Sequence, residues 1–109
     1  MPINSRAKGV AYEQAIVREF KDLLETDKIY STRSESRRLD DAGVDLCGDI
    51  PIHVQCKAVE SCPQLHDILK RMPTDKPRVV FWKRNRKTEL VIMEKQEFYK
   101  MLDTLKDLM

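Results

Sequence analysis

The sequence predicts an α/β fold, a small mixed β-sheet flanked by helices, with elements in the order α-β-β-β-α-β-β-α. Three patterns carry this reading. Apolar residues recur every three to four positions near both ends of the chain, as on one face of a helix. Residues 50–59 alternate, with Ile52, Val54, Cys56 and Ala58 on one side and His53, Gln55, Lys57 and Val59 on the other. Residues 78–83 and 90–93 are apolar on both sides, as strands inside a covered sheet are.

Each element follows from local pattern. Tyr12, Ile16, Phe20, Leu23 and Leu24 form one stripe, predicting a helix from Ser5 to about Asp27, with Glu13 at the stripe's edge. Lys28 to Thr32 is a short β-type run. Arg33 to Gly43 is polar and reads as a loop, long for a domain of this size and therefore a candidate functional segment. Val44 to Cys47 is the next strand, and Gly48-Asp49 a turn before the long strand. Leu65, Ile68, Leu69 and Met72 predict a helix over 63–72, which Pro73 ends. Arg84-Asn85-Arg86-Lys87-Thr88 is a basic hairpin turn between the last two strands. Phe98, Met101, Leu102, Leu105 and Leu108 give the last helix an inward face. Three helices are few for both faces of a five-stranded sheet, so some apolar surface is expected to meet a second copy of the chain.

The 109 residues make one domain, 1–109, with no repeat or linker. Apolar residues at 41% and only eight Pro plus Gly exclude a disordered or collagen-like chain. The longest apolar run, Val79 to Trp82, is far too short for a membrane span, and the start of the chain carries no apolar block of a secretory signal. A cytoplasmic protein with reduced thiols is the expectation, since Cys47, Cys56 and Cys62 are odd in number. With His53 and His66 they match no common zinc spacing. Net charge is only +2, but residues 76–88 hold six Lys and Arg and no acid, a local field suited to phosphate.

The chemistry concentrates at Gly43-Val44-Asp45-Leu46 and Val54-Gln55-Cys56-Lys57. Gln55 and Lys57 project from one strand face about 6–7 Å apart. If the two strands pair as a hairpin, Asp45 comes up beside Gln55, and Glu13 can approach from the first helix. Carboxylates, an amide oxygen and an ammonium in one place suit metal-assisted phosphodiester cleavage. Mg²⁺ takes oxygen ligands, here Asp45, the Gln55 side chain and the Cys56 carbonyl, with Glu13 on a water or a second metal. Lys57 stands where it can orient water or stabilise charge on phosphorus.

These residues resemble the PD-(D/E)XK nuclease superfamily, with Asp45 as the first acid, Gln55-Cys56-Lys57 as the (D/E)-x-K triplet and Glu13 from the preceding helix. Within it the chain is most similar to the small archaeal-type Holliday-junction resolvases and their phage relatives. Lys8-Gly9-Val10-Ala11-Tyr12-Glu13-Gln14 resembles their opening helix, Tyr30-Ser31-Thr32-Arg33-Ser34 their strand and serine-bearing loop, and 76–84 with 90–93 their late basic hairpin. The likeness runs in order from residue 8 to about 102. Two positions depart: Gln55 stands where an acid is usual, and Val44 where a proline is. A missing charge at 55 implies weaker Mg²⁺ binding or a contribution from Asp40, Asp41 or Asp49.

The resemblance implies a restriction-endonuclease-like core, Mg²⁺ or Mn²⁺ as cofactor, and a homodimer that resolves four-way DNA junctions by paired phosphodiester hydrolysis. Arg33, Arg37, Arg38, Lys83, Arg84, Arg86 and Lys87 would contact phosphates, with Ser34 and Ser36 near the scissile one. Two alternatives stand beside it: a nicking or homing-type endonuclease of the same superfamily, and a branched-DNA-binding module with a degenerate site.

Overall fold

The computed structural model describes residues 5–109. Helix α1 (Ser5–Leu24) buries Tyr12, Glu13, Ile16 and Val17. It ends three residues before the expected Asp27. Glu25 takes a left-handed φ of 53°, and Thr26 N–H turns back to the Lys21 carbonyl at 3.1 Å. Strand β1 (Ile29–Ser31) then pairs antiparallel with β2 (Leu46–Gly48), Tyr30 opposite Cys47. Gly48, at φ 103°, is required there, because a β-carbon would lie 2.1 Å from the Lys28 carbonyl oxygen.

Between these strands the structure corrects the expected loop. Most of residues 33–43 lies in two short helices, α2 (Thr32–Glu35) and α3 (Arg37–Asp41). Their caps are serines: Ser31 Oγ accepts from Arg33 N–H, and Ser36 Oγ accepts from Leu39 N–H, each at 3.3 Å. Helices of four and five residues are too short to print an apolar period, so the segment reads as irregular.

Strand β3 (His53–Ala58) runs parallel to β4 (Arg78–Lys83), with Gln55 opposite Val80 and Lys57 opposite Trp82. Strand β5 (Leu90–Ile92) pairs antiparallel with β4. Helix α4 (Leu65–Arg71) makes the crossover from β3 to β4. The expected five-stranded sheet is instead a two-stranded and a three-stranded sheet. Asp45 joins them. Its N–H donates to the Val54 carbonyl at 2.7 Å, and its Oδ2 accepts from Cys56 N–H at 2.7 Å. One side chain thus stands where a β2–β3 ladder bond would be.

The core has two parts, one on each side of β3 and β4. Tyr12, Ile16 and Val17 pack on Ile29, Leu46, Val54, Cys56 and Val79. Opposite, Leu69 and Met72 pack on Val44 and Val80. This split follows from parity along β3 and β4, since successive side chains face opposite ways. Only β4 is central. Leu90 and Val91 of β5 are exposed, which corrects the expected interior strand.

Helix α5 (Lys95–Lys106) brings the largest correction. Phe98, Met101, Leu102, Leu105 and Leu108 were expected inward, and all are exposed. A helical stripe states that an apolar face exists, not which element covers it. The start of α5 is fixed by the buried Arg78. Its Nε donates to Glu97 at 2.9 Å, its Nη1 to the Leu69 carbonyl at 2.9 Å and its Nη2 to Glu94. Those three acceptors satisfy a guanidinium that would otherwise be costly to bury. Among the described residues no helix is long and apolar enough to cross a membrane.

Candidate active site

The expected face of β3 is real. Val54 and Cys56 point into the α1 core, which turns Gln55 and Lys57 to the α4 side. There Asp40, Gly43, Asp45, Gln55, Lys57, Ile68 and Arg71 line a cavity of about 210 Å³. Asp45 reaches it because Thr32 holds the preceding strand end. Thr32 N–H donates to the Asp45 carbonyl at 2.9 Å, and its hydroxyl to the Val44 carbonyl at 2.6 Å. Thr32 is fully buried, so both bonds are shielded from water.

Asp45 is 7% exposed. Burial pushes its carboxyl up to about 7, with the nearby Glu13 charge adding to the rise. The Cys56 N–H bond and the Arg33 and Lys57 charges oppose it. Only Oδ2 is held by Cys56 N–H. Gln55 presents a second oxygen: its Oε1 is buried and has no hydrogen-bond partner. A buried acceptor without a donor costs roughly 1–3 kcal/mol, so the arrangement favours an electropositive group at that point. The Cys56 carbonyl leaves β3 on the same side as its N–H, the side on which Asp45 lies.

Glu13 lies close enough for its charge to act on Asp45, yet it does not line the cavity. It is 3% exposed, and Arg33 takes both of its oxygens, Nε to Oε2 at 2.7 Å and Nη2 to Oε1 at 3.1 Å. This bidentate pair spans twenty residues and ties Arg33, whose side chain stays 42% exposed, to the buried Glu13. Ser34 donates to the Ser31 carbonyl at 3.2 Å, and Ser36 caps α3, so both hydroxyls are used locally. Arg37 and Arg38 are exposed, with Arg37 3.9 Å from Asp41. Among the described residues no three His, Cys, Asp or Glu side chains gather as a metal-binding group.

The three acids named as substitutes for the charge missing at 55 separate cleanly. Asp49 accepts from Thr26 at the far end of β2, and Asp41 faces Arg37. Asp40 lines the cavity, its Oδ1 3.4 Å from the Thr32 hydroxyl. Arg71, the last residue of α4, also lines it and was not singled out from sequence. Its position three residues after Ile68 on one helix face was the available signal.

The basic hairpin projects as expected, with Lys83 to Lys87 exposed. It is anchored at its base. Asn85 N–H donates to Glu60 at 2.8 Å, Glu60 also pairs with Lys8 at 3.6 Å, and Arg84 stacks 5.5 Å from the Trp82 ring centre. Lys83 sits 5.8 Å over Tyr12. Trp82 donates its indole N–H to the Val59 carbonyl at 2.8 Å, in line with a packing role. Among the described residues, larger cavities include one of about 420 Å³ between α4 and the start of α5, lined half by polar side chains, and one of about 280 Å³ beside α1 and β5, lined mainly by apolar ones. Comparison of the chain with protein-family models, with curated proteins and with solved structures found no match.

Proposed function

We propose that the chain is a Mg²⁺-dependent endodeoxyribonuclease that resolves four-way DNA junctions as a homodimer. The observation that carries the reading is the meeting of Asp45, Gln55 and Lys57 in one cavity, with the Gln55 oxygen buried and unpaired there. Those donors fit a hard divalent cation. Asp45 offers Oδ1, Gln55 offers Oε1, the Cys56 carbonyl lies on the same edge, and Asp40 supplies a second carboxylate on the wall. Asp40 thus replaces in part the charge that Gln55 lacks. Mg²⁺ held there supplies Lewis acidity toward a phosphate oxygen and a more acidic water.

The chain's own residues do the rest. Burial of Asp45 keeps its carboxylate poorly solvated and so ready to bind a cation. Lys57 places positive charge at the cavity, where charge grows on a phosphate under attack. The Glu13–Arg33 pair holds α1 against α2 beside Asp45 and lowers the net charge Asp45 feels. The hairpin at Arg84, Arg86 and Lys87, with Arg37 and Arg38, tracks phosphates away from the cavity. The exposed apolar face of α5 supports a dimer, since so many large side chains on one helix favour burial against a second copy.

The test is direct. The purified protein should cut a labelled four-way junction in Mg²⁺, prefer it to linear duplex, and sediment on the junction as two copies per DNA. Cutting of duplex with equal efficiency favours the nicking-type alternative. Tight junction binding without cutting in Mg²⁺ or Mn²⁺ leaves the binding module, a reading that the sequestration of Glu13 by Arg33 supports.

Two results belong with this reading. Gln55→Glu should lower the Mg²⁺ concentration for half-maximal cleavage, because it adds a charge in the same geometry, and Gln55→Ala should raise it or abolish cutting. An unmoved midpoint in both variants removes Gln55 from the metal. Neutralising Arg84, Arg86 and Lys87 together should weaken junction binding and flatten its salt dependence by up to about 3 units of slope. Unchanged affinity and slope would make the hairpin a solvated turn.

A further inference from the structure

Resting on the reading above, we infer that Arg71 is a phosphate-binding residue of the cavity, the group that grips the phosphodiester beside Asp45 and Lys57. Two other arginines packed against the core are committed to acids. Arg33 is held by Glu13, and Arg78 is held by Glu94 and Glu97. Arg71 differs. Among the described residues it forms no ion pair with a carboxylate, and its one protein acceptor is a backbone carbonyl, that of Asp41, at 2.6 Å from Nη2. A guanidinium has five N–H donors in a rigid fork, so one corner is anchored and the rest of the fork stays available.

The anchor aims the fork. Asp41 ends α3 and Arg71 ends α4, so the bond ties two helix ends together beside the cavity that Arg71 lines. Gly43 sits between them with φ 80°. A β-carbon there would lie 3.4 Å from Arg71 Cδ and 3.7 Å from both Arg71 Nε and Gln55 Oε1. The arginine stem and the unpaired amide oxygen therefore both flank Gly43 on the cavity wall.

The charged residues lining the cavity are two acids, Asp40 and Asp45, and two bases, Lys57 and Arg71. With a divalent cation on the acids, the cavity is strongly positive and suits one monoanionic phosphodiester. Lys57 acts as a point charge, whereas the Arg71 fork fits two phosphate oxygens at once. The pairing also assigns α4 a function beyond covering β3 and β4: its C-terminal residue completes the substrate site.

The experiment uses the full-length chain with Arg71→Ala and Arg71→Lys, a four-way junction as probe, and two readouts. The first is equilibrium binding in EDTA across salt concentrations. Arg71→Ala should weaken binding about tenfold and lower the log–log salt slope by about 1, while Arg71→Lys keeps the slope. The second is cleavage in Mg²⁺, where both variants should show an elevated KM, and Arg71→Lys should lose about tenfold in kcat/KM because the fork is gone. Melting temperatures report the loss of the Asp41 tie separately. If both variants bind and cut as wild type does and only the melting temperature falls, Arg71 is a structural tie and the inference is overturned. If wild type does not cut yet Arg71→Ala still loses one unit of slope, the nuclease reading fails and the phosphate contact stands. Should Arg71→Ala not fold, the KM and kcat/KM of Arg71→Lys decide alone.

Discussion

Asp45→Asn should abolish cleavage and, at neutral pH, make the metal-free protein more stable. Asparagine keeps an acceptor for Cys56 N–H, so the splice between the two sheets survives. What disappears is a buried charge. The loss in cleavage should reach at least ~10²-fold, a transition-state penalty of about 2.7 kcal/mol or more. The stability gain follows from linkage. In the fold the Asp45 carboxyl titrates near 7, against 3.8 ordinarily, chiefly because it is buried. The folded state therefore holds the proton more tightly than the unfolded one. Its stabilising effect is complete below about pH 4, declines as pH rises to about 7, and is gone above that. At pH 8 the wild type carries the full cost of a buried carboxylate and Asp45→Asn does not. A gain of about 1–2 kcal/mol, or roughly 5–10 °C in Tm, is expected at pH 8, shrinking toward zero at pH 4. Mg²⁺ should raise the Tm of the wild type at pH 8 and leave that of the variant unmoved. A variant less stable than wild type at pH 8 would show that the Cys56 bond outweighs the burial of charge.

The parts of this site that were legible in the sequence are those encoded by local period. Alternation along 53–58 places Gln55 and Lys57 on one face without any tertiary information, and the structure keeps them there. The two-sided apolar character of 78–83 agrees with β4 as the central strand, whereas the same character at 90–93 belongs to the edge strand β5. What escaped depends on distance along the chain. Glu13 and Arg33 are separated by twenty residues, and nothing in either neighbourhood announces that the guanidinium will close on that carboxylate. The sequence suggests Arg33 for phosphate and Glu13 for metal separately, and the fold adds that each side chain is the other's partner. Ser31 and Ser36 did carry a local signal, since a serine before a short polar run is a helix cap, but α2 and α3 contain too few turns to repeat it. The outward face of α5 was visible as a stripe. Its exposure was not, because covering a stripe is a property of whatever packs on it.

The position of Asp45 between two sheets also explains how a site with a neutral residue at 55 is organised. Cys56 N–H is drawn to the Asp45 side chain, so β3 presents its backbone edge to the same space as its Gln55 face. The Asp45 carboxylate and the Gln55 amide thus line one cavity, with the Cys56 backbone bonded to the first of them. Asp40 joins them from α3, placed by the turn at Gly43. The cavity's two carboxylates thus come from different segments, Asp40 from α3 and Asp45 from the approach to β2.

Lys57→Ala carries the second large effect expected, again a loss of at least ~10²-fold in cleavage, with junction affinity changed only a few-fold. Two routes lead to such a loss, and pH separates them. Lys57 lowers the Asp45 carboxyl by its charge, so its removal lets Asp45 hold its proton to higher pH and disfavours metal binding. That indirect route vanishes once pH and Mg²⁺ are high enough to ionise and load Asp45 in the variant. The direct route, positive charge beside the phosphate as it is attacked, does not. Cleavage by Lys57→Ala should therefore be measured from pH 6 to pH 9 at saturating Mg²⁺ and junction. The deficit should narrow as pH rises and then level off at ~10²-fold or more, the remainder being the contribution of Lys57 to the transition state. Full recovery by pH 9 would assign Lys57 to the tuning of Asp45 alone, and the ammonium would have no place in the chemistry.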